Sequence, residues 1–508
     1  THYDQGFKEF LTLSRNPQIN VLSYTSGLFE YPYGCTEQTT SKAFPWLFPS
    51  NPILDQEKQS AYQRAIDRSS KKETISFNDW ETSMMKESIQ RLLDRQNIDG
   101  GFALWSEGPS FLPASAYVTD FLIDAQRKFP ALVPQSALEN AFSYLKKELS
   151  RTQEAYNRYG LDIDRDYQGL LTRSRLASVS YASWILAKSG KIFSADILFM
   201  HNLLERLTPL ASSYMGASGL VLGSSALGND FIEPIAGKVM ENDQRYGYYQ
   251  SSVSEIAGIL NVLNELTAKG YPISSELKMD LMRVLDRELS HRQYFSTQDR
   301  YALIKLGIDM PEDPKPIEVI INGQAQSVSA NMPMPANSIG TLTSAEPLFM
   351  EYQISGFPKA PVSVTNFNMD YQSTMNQLSG KQYKVGDRVE IRIEVTPSVN
   401  LPSALLASYI PGGFNLVNPN LASEDIDTFY RDLGIDFEQR NRMEHEEFRF
   451  DRYVASLPMK ADEKQTFVYI LEASVPGEYE IPVTILEDMY LPELHNMMVQ
   501  PGTITITE

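Results

Sequence analysis

The chain has one cysteine in 508 residues, so it can form no intrachain disulfide. It has only five histidines, and nothing in their positions marks a metal-ligand spacing or the base that a nucleophilic cysteine needs. No apolar run approaches the roughly 18 residues that span a bilayer. The first residues, Thr1-His2-Tyr3-Asp4, lack an initiating Met and a basic region followed by an apolar stretch. No signal peptide is therefore expected in this sequence, which reads as a fragment or processed product with any targeting signal upstream. Basic residues are also scarce: 45 Lys and Arg stand against 64 Asp and Glu, a formal net charge of −19. Such a surface repels phosphate backbones and anionic lipid heads, which argues against nucleic-acid or membrane-surface binding. A P-loop is excluded too. Gly223-x-x-x-x-Gly228 has the glycine spacing, but Asn229-Asp230 follows where Lys-Ser/Thr is required. No cofactor and no metal are expected.

The length calls for two to four domains, and 42% apolar with 21% charged residues is ordinary globular composition. The pattern changes near residue 312. From about 18 to 311, Glu87 to Leu93, Ala137 to Leu149, Ser174 to Lys188, Ala195 to Leu207, Ser254 to Leu266 and Glu276 to Leu289 carry apolar residues at helical spacing. Lys188-Ser189-Gly190 and Lys269-Gly270 supply helix-ending signals. A weak repeat (Ser178-x-x-x-Ala182, Ser252-x-x-x-x-Ala257, Thr297-x-x-x-x-Ala302) points to stacked helix pairs in an all-α array. Periodicity does not choose between an open array and a closed ring. After Asp313-Pro314 the period becomes two. Ile317 to Ile321 meets the hairpin signal Asn322-Gly323, Val389 to Val395 alternates strictly, and Phe467 to Leu471 and Tyr479 to Leu486 continue in that style. Phe7 to Leu13, ended by Asn16-Pro17, reads as a strand leading in, and acidic Ser423 to Phe448 as a short helix or long loop. The expected fold class is multidomain: an all-α domain over 18–311 followed by all-β sandwich modules over 312–375 and 376–508, with 1–17 leading in.

The informative segment is Tyr31-Pro32-Tyr33-Gly34-Cys35-Thr36-Glu37-Gln38-Thr39-Thr40. A lone Cys is usually a small buried hydrophobe, so Cys35 is judged by its neighbours. Gly34-Cys35-x-Glu37-Gln38 resembles the signature of alpha-2-macroglobulins and complement thioester proteins, and that resemblance implies that the Cys35 thiolate attacks the side-chain carbonyl of Gln38, expels ammonia and leaves a thioester closed over two intervening residues. Gln supplies an acyl group that reaches back across a tight turn, and Gly34 lets the backbone bend there. The sulfur leaves as a thiolate of pKa ~8.5, a far better leaving group than an amide nitrogen. An incoming amine or hydroxyl is then acylated once by Gln38. That is not turnover, so no enzyme is expected. Tyr31, Tyr33, Phe44, Trp46 and Phe48 lie close in sequence; ordinary helix packing is the plainer account of the last three. Glu37 reads equally as a local acid or base and as a helix N-terminal carboxylate.

The longer run Tyr31 to Ser41 looks like the bacterial branch of the alpha-2-macroglobulins. Gln96-x-x-Asp99-Gly100-Gly101-Phe102-x-x-Trp105 is similar to that family's thioester-containing domain. The resemblance covers essentially the whole chain. It implies an α/α ring over 18–311, a CUB remnant over 312–375 joined by the strand in 1–17, and a receptor-binding-like macroglobulin domain over 376–508. It also implies a fragment of a broad-range endopeptidase inhibitor of bacterial defence. In that family an attacking protease cuts a bait region, and the uncovered thioester then couples to lysine amines of that protease. The parent is expected to be a periplasmic monomer, attached to the inner membrane by an upstream lipid and carrying further macroglobulin domains upstream. Tyr31 matches a position that shields the thioester, as does Met489 within Asp488-Met489-Tyr490-x-Pro492-Glu493. A histidine that redirects the acyl group to hydroxyls in some relatives falls near Ser115. His2, His201, His291, His445 and His495 lie outside that segment, which implies direct transfer to amines.

Two other readings stand beside this one. The Gln96 to Trp105 motif also looks like the Gln-Trp repeat of terpene cyclases, α/α-ring enzymes that need clustered aspartates. The one candidate run, Asp162-Ile163-Asp164-Arg165-Asp166, is more ordinary as a solvated loop, and the β modules would be unexplained. The second is a thioester-inactive binding module, disfavoured because both Cys35 and Gln38 are kept.

Overall fold

The computed structural model describes residues 7–15, 19–31, 34–68, 75–162, 166, 169–240, 251–292, 294–310, 315–330, 332–346, 348–356, 371–375, 378–419, 431, 443–491, 494–500 and 502–508. The chain divides into two compact units, 2–357 and 358–508.

The first unit is mainly helical. Its helices are α1 (Val21–Phe29), α2 (Thr36–Ala43), α3 (Pro52–Arg68), α4 (Phe77–Leu93), α5 (Leu112–Lys128), α6 (Gln135–Tyr159) and α7 (Arg173–Lys188). They continue as α8 (Ser194–Ile197), α9 (Pro209–Val221), α10 (Ser225–Ile232), α11 (Ile235–Met240), α12 (Ser252–Ala268), α13 (Ser275–His291) and α14 (Thr297–Asp309). The starts carry their own caps. Thr208, Ser251, Ser274 and Ser296 each accept a backbone N–H from the first turn of the helix that follows, an interaction of about 1 kcal/mol apiece. The expected single helix over Ala195 to Leu207 is instead α8 followed by a tighter 3-10 run, Leu198–Arg206. Phe199, Met200 and Leu203 are buried there, a spacing that either helix type satisfies.

The open-or-closed question has a definite answer. α2 packs on α5, α5 on α7, α7 on α9, α9 on α12, α12 on α14, and α14 returns to α2. This inner ring is backed by α4 against α2, α6 against α5 and α7, α10 against α9, α13 against α12 and α1 against α14. The repeat seen in the sequence falls on the inner helices α7, α12 and α14, where small residues allow close approach. The ring surrounds a cavity of about 110 Å³ lined among others by Tyr117, Tyr181, Tyr214 and Tyr301. Among the described residues, no helix is long and apolar enough to cross a membrane.

The same unit contains a small β module. β1 (Lys8–Ser14) lies between β4 (Met334–Pro335) and β6 (Phe349–Ser355), and β2 (Ile317–Ile321) between β3 (Gln324–Val328) and β5 (Leu342–Ser344). Asn322 and Gly323 both adopt positive φ (52° and 79°), the hairpin turn that their sequence announces. Leu11, Leu13, Ile317, Val319 and Ile321 form its core. Asn16, Pro17, Asp313 and Pro314, read as punctuation in the sequence, lie outside the described residues.

The second unit is a sandwich of β7 (Tyr371–Met375), β8 (Gln382–Lys384), β9 (Arg388–Pro397), β10 (Leu401–Tyr409), β11 (Phe414–Leu416) and β12 (His445–Phe448). It continues with β13 (Arg452–Met459), β14 (Gln465–Ala473), β15 (Gly477–Glu480), β16 (Thr484–Asp488), β17 (His495–Met498) and β18 (Thr503–Thr507). Sheets β12-β13-β10-β16-β17 and β11-β14-β9-β7 enclose a core of inward side chains such as Ile391, Ile393, Leu406 and Phe467, and β15-β18-β8 forms a third sheet. Three expectations need correction. β7 pairs with β9, so residues 371–375 belong to this sandwich rather than to the module before it. The expected run Tyr479 to Leu486 is two strands, broken at Ile481-Pro482-Val483, where Pro482 has no N–H to give to a ladder. The end of the acidic segment, His445 to Phe448, is strand β12 and not helix or loop; residues 420–430 and 432–442 lie outside the described residues.

Candidate functional site

The predicted turn opens helix α2. Cys35 has extended backbone (φ −62°, ψ 174°) and occupies the N-cap position with no solvent exposure. Its Sγ accepts the backbone N–H of Gln38 at 3.5 Å, while the Gln38 carbonyl Oε1 accepts the Cys35 backbone N–H at 3.0 Å. This is a capping box with sulfur in place of the usual hydroxyl. A residue that serves a helix start thus also holds the thiol and the amide of Gln38 together. The Gln38 Nε2 donates to the Tyr31 hydroxyl at 3.3 Å, which places Tyr31 over the amide. Lys42 Nζ donates to the Tyr31 carbonyl at 2.5 Å and fixes the incoming chain. A Cβ on Gly34 would meet Arg91 Nη1 and Thr39 Oγ1 at an ordinary 3.6 Å, so crowding does not demand glycine there. The Gly34 carbonyl is the part in use: it accepts from Arg95 Nη2 at 2.9 Å and from Thr39 Oγ1 at 3.3 Å. Pro32 and Tyr33 lie outside the described residues.

The Gln96 to Trp105 motif buttresses this turn. Gly100 takes φ +89°, and a Cβ there would fall 2.2 Å from the Asn140 carbonyl of α6. Gln96 Nε2 donates to the carbonyls of Gly100 and Ala137, and Asp99 accepts from Gly101 N and Ser110 Oγ. The hairpin so formed presents its backbone to α2. Thr36 N donates to the Leu104 carbonyl at 2.8 Å and Thr36 Oγ1 to the Ala103 carbonyl at 2.6 Å. Arg95 Nη1 donates to Thr36 Oγ1 at 3.1 Å, so one guanidinium grips both residues flanking Cys35. Sequence reasoning missed Arg95; its only local signal is its place one residue ahead of the motif.

Glu37 is wholly buried. It accepts from Ser41 Oγ at 2.5 Å, from Thr297 Oγ1 at 2.9 and 2.8 Å, and from Gln298 Nε2 at 3.0 Å. Burial pushes its carboxyl up to about 7 against the lowering effect of these donors. The aromatics near the motif are core. Phe44 packs on Tyr117, Phe121 and Tyr301, Trp46 stacks on Phe29, and Phe48 stacks on Tyr301.

Other singled-out residues serve local structure. Ser115 accepts from Phe102 N and donates to the Phe111 carbonyl, both at 2.8 Å, joining α5 to the hairpin. Asp166 accepts from Leu171 N at 2.6 Å and so closes a turn; Ile163, Asp164 and Arg165 lie outside the described residues. Asp120, which also faces the ring's cavity, is bound by Lys188 and by the Tyr181 hydroxyl. His201 pairs with Asp230 and His445 with Glu447, while His2 and the side chain of His291 are outside the described residues. Gly228 packs α10 closely on Gly216 and Leu220 of α9. In the second unit Met489 follows β16, is 4% exposed, and donates its backbone N–H to the Ser403 carbonyl at 3.1 Å. Asp488 holds that bend by accepting from Ser403 N, Tyr490 N and Leu491 N. Pro492 and Glu493 lie outside the described residues.

Residues 12–216 match the A-macroglobulin TED domain, and residues 362–493 match the bacterial alpha-2-macroglobulin MG10 domain. The alpha-2-macroglobulin of Escherichia coli (strain K12) is 26% identical over 511 residues, 95% of this chain and 29% of that protein. That of Xylella fastidiosa (strain Temecula1) is 25% identical, over 98% of this chain and 30% of that protein. The chain therefore spans about three-tenths of the length of these curated relatives. Native E. coli alpha-2-macroglobulin from domain MG7 to the C-terminus superposes with a TM-score of 0.80 at 23% identity, over the whole of this chain and 78% of that one. Salmonella alpha-2-macroglobulin reacted with methylamine gives 0.80 at 24% identity, over the whole of this chain and 32% of that one. These last two establish a shared fold. With two domain models met in the order ring then sandwich, and relatives aligned along almost the entire sequence, the chain carries a TED domain and a bacterial MG10 domain and is similar throughout to bacterial alpha-2-macroglobulins.

Proposed function

We propose that Cys35 and Gln38 close a thioester, and that the parent molecule uses it to couple covalently to proteases it traps. The supporting observation is the capping box, in which thiol and side-chain carbonyl are held within one buried helical turn. Formation breaks the Cys35 S–H and the Gln38 C–N bond, makes a C–S bond and releases ammonia. Use reverses the roles: an incoming lysine amine forms an amide with the Gln38 acyl carbon, and its proton goes to the departing Cys35 sulfur. One molecule reacts once, so it acts as an inhibitor and not as a protease.

Such a bond needs protection from water. Tyr31, already placed on the Gln38 amide, covers it from the helical unit. Met489, flexible and apolar, is assigned to the same shield by the family resemblance. In the same reading the small β module is a CUB remnant, and the bait region and preceding macroglobulin domains belong to the parent. The parent is a periplasmic monomer attached to the inner membrane by an upstream lipid.

Methylamine tests the chemistry. Protein holding the bond gains about 31 Da and ends about 14 Da above its encoded mass. An unchanged mass with a freely titratable Cys35 contradicts the proposal. Met489→Ala in the parent speeds loss of the thioester in buffer, and an unaltered half-life removes Met489 from the shield.

A further inference from the structure

Helix α2 begins with a carboxylic acid in the wrong place for a charge. Glu37 is fully buried, and among the described residues no Lys, Arg or His pairs with it. The groups around it are identifiable on every packed element. On α14, Asp299 is a second carboxylate whose charge raises Glu37 further, beside the neutral donors Thr297 and Gln298. On α5, Tyr117 is buried, held neutral well above its ordinary range, and hydrogen-bonded to Ser41 at 3.0 Å. On the α4 side Arg91 is turned to Glu87 and Arg95 to Gly34 and Thr36; on α2 itself Lys42 is turned to the Tyr31 carbonyl.

The contacts suit a neutral acid. Oε1 can act as the carbonyl, accepting from Ser41 and Gln298, while a protonated Oε2 donates to Thr297 Oγ1 at 2.8 Å. Thr297 then accepts from Oε2 instead of donating to it, and no buried charge remains on Glu37. Ionised, the carboxylate keeps its donors but carries an uncompensated charge in a dry site, beside Asp299. That charge is relieved by letting water in. Glu37 lies between Cys35 and Gln38 in the chain, so loosening it loosens the turn that holds them.

We propose that Glu37 is the positioning residue of the thioester turn: it clamps the start of α2 to α14 through Thr297 and Gln298 and to α5 through Ser41 and Tyr117, and losing its proton loosens the turn and speeds opening of the bond. The proposal rests on the thioester reading above. The sign follows from the raised carboxyl. Its stabilising effect is complete below the ordinary value of 4.5 and is lost as pH rises through about 7.

The test is thioester hydrolysis in the full-length parent, followed from about pH 5.5 to about pH 8.5 by intact mass and by thiol release. The rate should climb more steeply than first order in hydroxide across the region near pH 7 and return to first order above it. Glu37→Gln, a permanent stand-in for the neutral acid, should remain first order throughout. It should hydrolyse about tenfold more slowly than the parent near pH 8 and at an equal rate near pH 5.5. Thr297→Val leaves the ionised form one donor short and should move the break to higher pH, which gives a second readout if the Gln variant does not fold. An unbroken parent profile, or a break unmoved in both variants, overturns this proposal alone. Absence of the ammonia loss in the parent overturns the thioester reading and this one together.

Discussion

Helices α2 and α6 are opposites. α6 runs 25 residues, buries Leu138, Ala141, Phe142, Leu145 and Leu149 along one face, and leaves Lys146 and Lys147 to solvent. It is held mainly by apolar contact, with one buried acid, Glu148, met by Arg175 of α7, and its exposed face needs nothing from the protein. α2 has eight residues, Thr36-Glu37-Gln38-Thr39-Thr40-Ser41-Lys42-Ala43, with no large apolar side chain, yet all but Lys42 are buried. Hydrophobic burial cannot explain its position. Each of its polar groups must be met by a partner, at about 1–3 kcal/mol for any left unmet. The partners come from the hairpin, from α14 and from α5. A buried polar helix in the inner wall of a ring signals that something other than stability is being arranged, and the Cys35–Gln38 capping box is what it carries.

Three substitutions sharpen this contrast. The largest expected effect is from Gly100→Ala, which forces a side chain into positive φ against the backbone of α6. It should cost about 3 kcal/mol in denaturant unfolding and, by displacing the hairpin, let water open the thioester so that a Cys35 thiol is released faster than in the unaltered protein. An unaltered rate of thiol release would separate the hairpin from the turn. Next, Arg95→Ala removes both grips beside Cys35. A loss of about 2 kcal/mol is expected, read as faster methylamine uptake with little change in the ring's helical circular dichroism. Smallest is Lys147→Ala on the exposed face of α6, expected within about 0.5 kcal/mol of the parent and with unaltered methylamine uptake. If it matched Arg95→Ala, the distinction between the two helices would fail.

The proposed pair, Cys35 and Gln38, was legible in the sequence because its two residues lie within one four-residue turn, and local chemistry leaves a local signal. It showed helices and strands wherever one face is buried, as in β9, whose inward Val389, Ile391, Ile393 and Val395 alternate with outward residues. It did not show what holds the turn. Arg95 reaches Gly34 across 61 residues, and Thr297 reaches Glu37 across 260. The second depends on ring closure and the first on a loop folding back, and no window of sequence contains either. Nor did it show where one β module ends, because β7 joins β9 by backbone pairing, which no local pattern announces. The Gln96 to Trp105 motif was visible as a pattern, but its use, a backbone ledge for Thr36, appears only in three dimensions.

The most direct test is the intact mass of freshly purified full-length parent that has never met an amine. The account predicts a mass about 17 Da below the encoded value, from one departed ammonia, together with no titratable thiol at Cys35. The encoded mass with a free thiol at Cys35 would contradict it.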